Sequence, residues 1–366
     1  MNRRPSQSRS GYDAFSSRSA AHFTAATPGN DFFDVRRKKP LHLRLALYFF
    51  LFFSAVLAIN LAVNQFVHVR RVSVPVTGLS EEFDGYTLLH ISDLKGKSFG
   101  ADQSRLSSAL SRKRFDAVII TGDMISALGN AQPFYALIDQ LRTLNPEAPI
   151  YFISGDGDPP VTGESYFTGG SPFAPWVLGA QQRGAHLLGS PVAISRDDQT
   201  LWLTTVSLLN LDLNTMQGQF ELQYLDALSS GDENAIELAA YHLARLEETR
   251  SARKAMTDQD AVIALMHAPP TSDDLQDAID LILCGHSLGG LIRLPFIGPV
   301  FMPSSSLPRY GLFPGSNVNA GLSRQGKTQV YVSCGLGAGS DEYPSFFFRL
   351  FNPPSVSLIT LTPSSI

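Results

Sequence analysis

Five apolar runs in this 366-residue chain each lead into a turn that carries an acid or an imidazole: Ile91-Ser92-Asp93-Leu94-Lys95, Thr121-Gly122-Asp123, Ser154-Gly155-Asp156-Gly157-Asp158, Leu265-Met266-His267 and Cys284-Gly285-His286-Ser287-Leu288-Gly289-Gly290. Each is ordinary alone, because Gly-Asp after a strand usually makes a turn and a single His there is more often a hydrogen-bonded partner than a ligand. Their ordered recurrence is what matters. Polar side chains offered from the C-terminal ends of adjacent buried strands converge in one rigid pocket at a sheet edge. Carboxylate and imidazole together suit Mn, Fe or Zn rather than Ca, and such ligands from separate strands are what a metal-dependent hydrolase requires.

The elements that must position these groups alternate along the chain. β-rich runs fall at Tyr86 to Ser92, Ala117 to Thr121, Ile150 to Ser154, Leu201 to Leu208, Ala261 to Met266, Leu281 to Cys284, Gln329 to Ser333 and Val356 to Leu361. Helical stretches are expected at Ser104 to Arg112, Pro133 to Leu144, Phe173 to Gln182 and Asn234 to Ala255, the last with a stripe at Ile236, Ala239, Ala240, Leu243 and Leu246. The pattern is that of an α/β domain whose sheets are covered by helices. Asp158 to Pro175 and Pro303 to Ala320, rich in Pro and Gly, read as long surface loops.

The ordered series resembles the signature of the calcineurin-like metallophosphoesterase superfamily, in which Asp-x-His, Gly-Asp, Gly-Asn-His-Asp, a lone His and Gly-His-x-His follow one another. The segments Gly-Gly-Leu-Ile-Arg-Leu-Pro-Phe-Ile-Gly (289 to 298), Tyr-Val-Ser-Cys-Gly-Leu-Gly (331 to 337) and Phe-Asn-Pro-Pro-Ser-Val-Ser-Leu-Ile (351 to 359) resemble its membrane-associated bacterial branch. The likeness runs from Val72 to Leu361, interrupted between Asn210 and Asp260. It implies a four-layer sandwich of two mixed β-sheets flanked by helices, and two divalent metals bridged by one aspartate. Carried over by position, Asp123 matches the bridge. Asp156, His267 and His286 match the other protein ligands of the second metal, and Asp93 matches a ligand of the first.

Three positions depart from the pattern. Lys95 stands for the His of Asp-x-His, Leu288 for the last His of Gly-His-x-His, and Gly157 for the His of Gly-Asn-His-Asp. Both lost ligands belong to the first metal, so one ion per chain is expected, with the Lys95 ammonium offsetting the repulsion of Asp93 and Asp123 and serving catalysis as a point charge for phosphate. Losing the Gly157 His, if it acted as acid or charge stabiliser, lowers the rate by roughly 10²- to 10⁴-fold. Two functions stay open: a metal-dependent phosphomonoesterase or phosphodiesterase, and an inactive relative binding a phosphorylated or lipid ligand.

Around this body, residues 1–40 are rich in Ser, Ala and Arg and read as disordered, and Leu45 to Val67 contains no charged side chain. That stretch approaches the ~20 apolar residues of a membrane span, so 41–67 is read as a signal anchor and 72–362 as the metallophosphoesterase domain. Ala55-Val56-Leu57-Ala58 has the small-x-small form of a cleavage site, but the long N-terminal extension does not suit a cleaved signal peptide. Arg36, Arg37, Lys38, Lys39 and Arg44 crowd one flank against Arg70 and Arg71 on the other, which places the N-terminus in the cytoplasm and the domain outside the cytoplasmic membrane. That location makes a lipid-linked phosphoester a natural substrate class. A net charge of −4 offers no basic stripe, which argues against nucleic acid as a partner. Cys284 and Cys334 are read as buried thiols, though an oxidising compartment would permit their pairing.

Overall fold

Along Ala117–Thr121, Ala117 and Ile119 enter one apolar cluster while Val118 and Ile120 enter another, and all four are buried. A strand covered on both faces lies inside a layered structure. The computed structural model describes residues 41–125, 129–163, 171–271, 274–275, 277–294, 297–302, 311–314, 320–338 and 349–364. Two six-stranded mixed sheets form its body. The first runs His68–Thr77, Ser355–Ser364, Thr87–Ile91, Ala117–Thr121, Ile150–Ile153, Ala185–Leu187, with the pair of Ser355–Ser364 and Thr87–Ile91 antiparallel and the rest parallel. The second runs Gly321–Gln325, Thr328–Val332, Leu281–Cys284, Ala261–Leu265, Gln199–Thr205, Val192–Arg196, antiparallel only at its two edges.

The core between the sheets joins Leu88, Ile119 and Ile359 of the first to Leu203, Ile263 and Leu283 of the second. Outside the first sheet, Ser104–Leu110, Gln132–Leu144 and Pro175–Gln182 bury Leu106, Phe134, Leu137 and Trp176. Outside the second, Val206 of the helix Val206–Asn210 packs on Ile282 and Cys284. This is the four-layer α/β sandwich that the resemblance implies.

Several elements differ from expectation. The strand His68–Thr77 was not expected: it buries only Val74 and Val76, and its partner lies nearly the whole chain away. Pro75 is tolerated because the strand is an edge. The run Leu201 to Leu208 is a strand only to Thr205, whose Oγ1 then accepts the Leu208 N–H at 3.1 Å and starts a helix. The interrupted region holds two helices rather than one. Leu213–Ser230 and Glu233–Ala255 each begin on an aspartate cap, Asp212 and Asp232, and Gly231 at φ 72° ends the first. The expected stripe on the second is only partly realised, with Ala239, Leu246 and Thr249 buried but Ala240 exposed. Gly311–Leu312, within an expected loop, is a short strand of a three-stranded sheet with Ile292–Leu294 and Gly298–Met302. Residues 1–40, 164–170 and most of Pro303 to Ala320 lie outside the described residues.

Leu41–Val63 is a helix long and apolar enough to cross a membrane. Its last turn is unlike the rest, because Asn60 is buried and is joined to the domain. Nδ2 of Asn60 and of the following Asn64 donate to the Arg349 carbonyl at 2.6 and 2.7 Å, and the Phe351 N–H donates to Asn60 Oδ1 at 3.0 Å. Cys284 and Cys334 are buried free thiols.

Candidate metal centre

The site forms where neighbouring strands of both sheets run out. Asp93 and Asp123 adopt left-handed backbone angles, φ 53° and 56°, as do Lys95, His286 and Leu288. Such angles at non-glycine residues persist only where surroundings over-determine them. Here the loops are laced together: the Asp93 N–H donates to the Gly122 carbonyl at 3.0 Å and the Lys95 N–H to the Asp123 carbonyl at 2.9 Å. Gly155 permits the close approach, since a Cβ there would stand 2.3 Å from Asp123 Oδ1 and 2.8 Å from His267 Cε1.

Asp123 has two differently used oxygens. Oδ2 accepts from the Lys95 ammonium at 2.6 Å. Oδ1 accepts the Gly157 N–H at 2.8 Å and lies 3.3 Å from His267 Nε2, which is 3.1 Å from His286 Nδ1. His267 Nδ1 is 2.7 Å from the Thr121 carbonyl, and a proton donated there leaves Nε2 to face the site. Asp123, His267 and His286 thus bring one ligand atom each to within 4.8 Å of one another. Three convergent lone-pair atoms repel unless a cation or proton lies among them, so the donor set fits a divalent metal. Burial alone would lower the His267 imidazole, but the Asp123 hydrogen bond and the charges of Asp93 and Asp123 raise it to about 9. Burial would raise the Asp123 carboxyl, yet His267 and Lys95 hold it well below the usual carboxylate range. His286 is lowered by burial and by the His267 charge.

Asp93 is fully buried; Oδ2 accepts the His286 N–H at 3.1 Å, and Oδ1 has no hydrogen-bond donor among the described residues. Asp156 stands at the rim, its side chain 64% exposed and Oδ2 3.6 Å from His286 Nδ1, outside the three-residue cluster.

A profile of calcineurin-like phosphoesterases matches residues 86–290, more than half of the chain. The chain belongs to this family. The Bacillus subtilis (strain 168) metallophosphoesterase YkuE, itself uncharacterised, is 25% identical over 282 residues, 76% of this chain and 80% of its own length. The Escherichia coli (strain K12) phosphodiesterase YaeI is 31% identical over 100 residues, 27% of this chain and 32% of its own. The crystal structure of TT1561 of Thermus thermophilus aligns over 69% of this chain and 90% of its own at 12% identity, with a TM-score of 0.33 that supports no detailed comparison.

Two residues that organise the site of this phosphoesterase fold escaped the sequence reading. Asp158 binds the turns after Ala117–Thr121 and Ile150–Ile153 to each other, Oδ1 accepting the Ile125 N–H at 2.8 Å and Oδ2 the Gly155 N–H at 2.9 Å. Burial raises its carboxyl to about 6 against those hydrogen bonds. Its signal was present, because it fills the final Asp of the family's Gly-Asn-His-Asp pattern. Arg349 is a fully buried guanidinium that donates to the carbonyls of Gly335 at 3.0 Å, Leu288 at 3.3 Å and Cys334. Burial lowers it to about 10, so it stays charged at neutral pH, where Asp93 interacts with it favourably. No local pattern announces such a residue.

Proposed function

We propose that this chain hydrolyses a phosphomonoester or phosphodiester at a centre with one divalent metal, Mn, Fe or Zn, while the Lys95 ammonium occupies the place of a second. The observation that supports this reading is the divided Asp123 carboxylate, with one oxygen on Lys95 and the other facing two imidazoles. His267, His286 and Asp123 would hold the ion, joined by Asp156 through a rotation of its exposed side chain. A divalent cation there would polarise a phosphoryl oxygen and acidify a bound water. The chain's own groups do the rest. The Thr121 carbonyl orients His267, Asp93 adds negative charge beside the ligands, and Lys95 presents a point charge to phosphate. In the reaction the P–O bond to the alcohol breaks, a water oxygen forms the new P–O bond, and a proton passes to the departing alcohol.

The apolar helix supports anchoring in the cytoplasmic membrane, with residues 72–362 as a single domain on the outer side and lipid-linked phosphoesters within reach. The second reading, a non-hydrolysing binder, draws support from Gly157, whose N–H is tied to Asp123 where the family carries an imidazole. Metal analysis of the purified full chain, followed by hydrolysis of an aryl phosphate and its diester with added Mn²⁺, separates the two. About one ion per chain with turnover supports the hydrolase. Two tightly held ions, or none, would count against this ligand assignment.

A further inference from the structure

Beside the centre lies a cavity of about 510 Å³, within the size range of small-molecule sites. His267 and Ser154 belong to its wall as well as to the metal centre's surroundings, so the cavity abuts the centre. The opposite wall comes from the helical pair that interrupts the family pattern, through Phe220 of Leu213–Ser230 and Leu246 of Glu233–Ala255. We propose that this cavity seats the apolar portion of an amphiphilic phosphoester whose phosphate lies at the metal centre. The proposal rests on the phosphoesterase reading and names its substrate class.

The chemistry of the wall selects the occupant. Leu208, Phe220, Leu246 and Met266 supply apolar surface, and the Phe220 ring is stacked on His242 at 4.9 Å and 14°. Many of the polar groups are answered by the protein itself, while Arg245 Nε is a buried donor with no hydrogen-bond partner among the described residues. Arg245 pairs with Glu248 at 2.5 Å, Asp274 accepts from Thr271 N–H and Oγ1 at 2.7 and 2.8 Å, Thr205 Oγ1 is engaged by Ser207 and by the Leu208 N–H, and Thr249 Oγ1 donates to the Arg245 carbonyl. Burial keeps His242 toward its neutral form. A sugar or second phosphate would give up its hydration against Leu208, Phe220, Leu246 and Met266. A hydrocarbon loses nothing by the exchange and releases the water at the wall.

The test is calorimetric binding of octyl phosphate, ethyl phosphate and octanol to the full chain in lipid nanodiscs with Mn²⁺, with empty nanodiscs as the partition control. Octyl phosphate is expected to bind at least about tenfold tighter than ethyl phosphate. Leu208→Trp, which fills the cavity, should erase that preference and leave ethyl phosphate unchanged. Phe220→Ala, which opens the wall without adding bulk, should reduce it and serves if the first variant does not fold. Equal affinity for both esters, or an octyl preference that neither variant changes, overturns the proposal. Octanol bound in a Leu208-dependent way with neither ester bound supports the apolar site and sinks the phosphoesterase reading instead.

Discussion

Replacing Lys95 with Met keeps an unbranched chain of similar length and removes only the charge. The ammonium is 2.6 Å from Asp123 Oδ2, the Lys95 side chain is 17% exposed and that of Asp123 2%. Breaking a buried pair by removing one partner costs about 3–5 kcal/mol, because the other charge is left unanswered. The remaining exposure of Lys95 admits some water, so the lower end, about 3 kcal/mol, is expected with chelator present. In a domain of this size that lowers Tm by about 5 °C. Added Mn²⁺ should stabilise Lys95→Met and wild type to a similar extent, since Asp123, His267 and His286 remain in both to hold one ion. Asp123→Asn in the Lys95→Met background should cost far less than in wild type, a coupling that identifies the pair. Differential scanning fluorimetry of the four proteins, with EDTA and with Mn²⁺, measures all of this. A Lys95→Met protein that melts within about 1 °C of wild type in EDTA would refute the reasoning. A further step restores ligands: Lys95→His with Leu288→His should raise metal content from about one towards two per chain, while each single change does little.

Asp123→Ala or His286→Ala should remove the bound ion by elemental analysis, whereas Lys95→Met should retain it. His90 is wholly buried, with Nε2 2.8 Å from Thr121 Oγ1, and burial lowers it to about 3. Its folded pKa lies below the unfolded ~6.5, so its contribution is full above pH 6.5 and is lost as pH falls towards 3, on the order of 5 kcal/mol over the window. Urea titrations from pH 7 to 4 should show this acid loss reduced in His90→Phe; an unchanged slope would exclude His90 as its source. Asn60→Leu with Asn64→Leu leaves the helix apolar but frees the Arg349 carbonyl, and should destabilise the domain by about 2–3 kcal/mol. Unaltered melting would show that the helix foot is only a tether.

The strands Ala117–Thr121 and Leu281–Cys284 were readable to the residue, and Thr87–Ile91, Ile150–Ile153 and Ala261–Leu265 to within a residue or two, because two-faced burial imposes a continuous apolar run that is a local property. For the same reason the positions of Asp93, Asp123, His267 and His286 at strand ends were readable, as was that of Lys95. Pairing over long separations was not. The edge strand His68–Thr77 takes its identity from Ser355–Ser364, and the helix Leu213–Ser230 buries only Ala227. Rotamers and loop contacts likewise decided that Asp156 faces outward while Asp158 ties two turns together. They also decided that Lys95 is joined to one oxygen of Asp123, and that Arg349 is buried between the helix foot and the Leu288 turn. Residue type and spacing therefore determined which donors stand at the sheet edge. Which of them meet depended on the close approach of backbones at Gly155 and on charges that only the packed chain brings within reach.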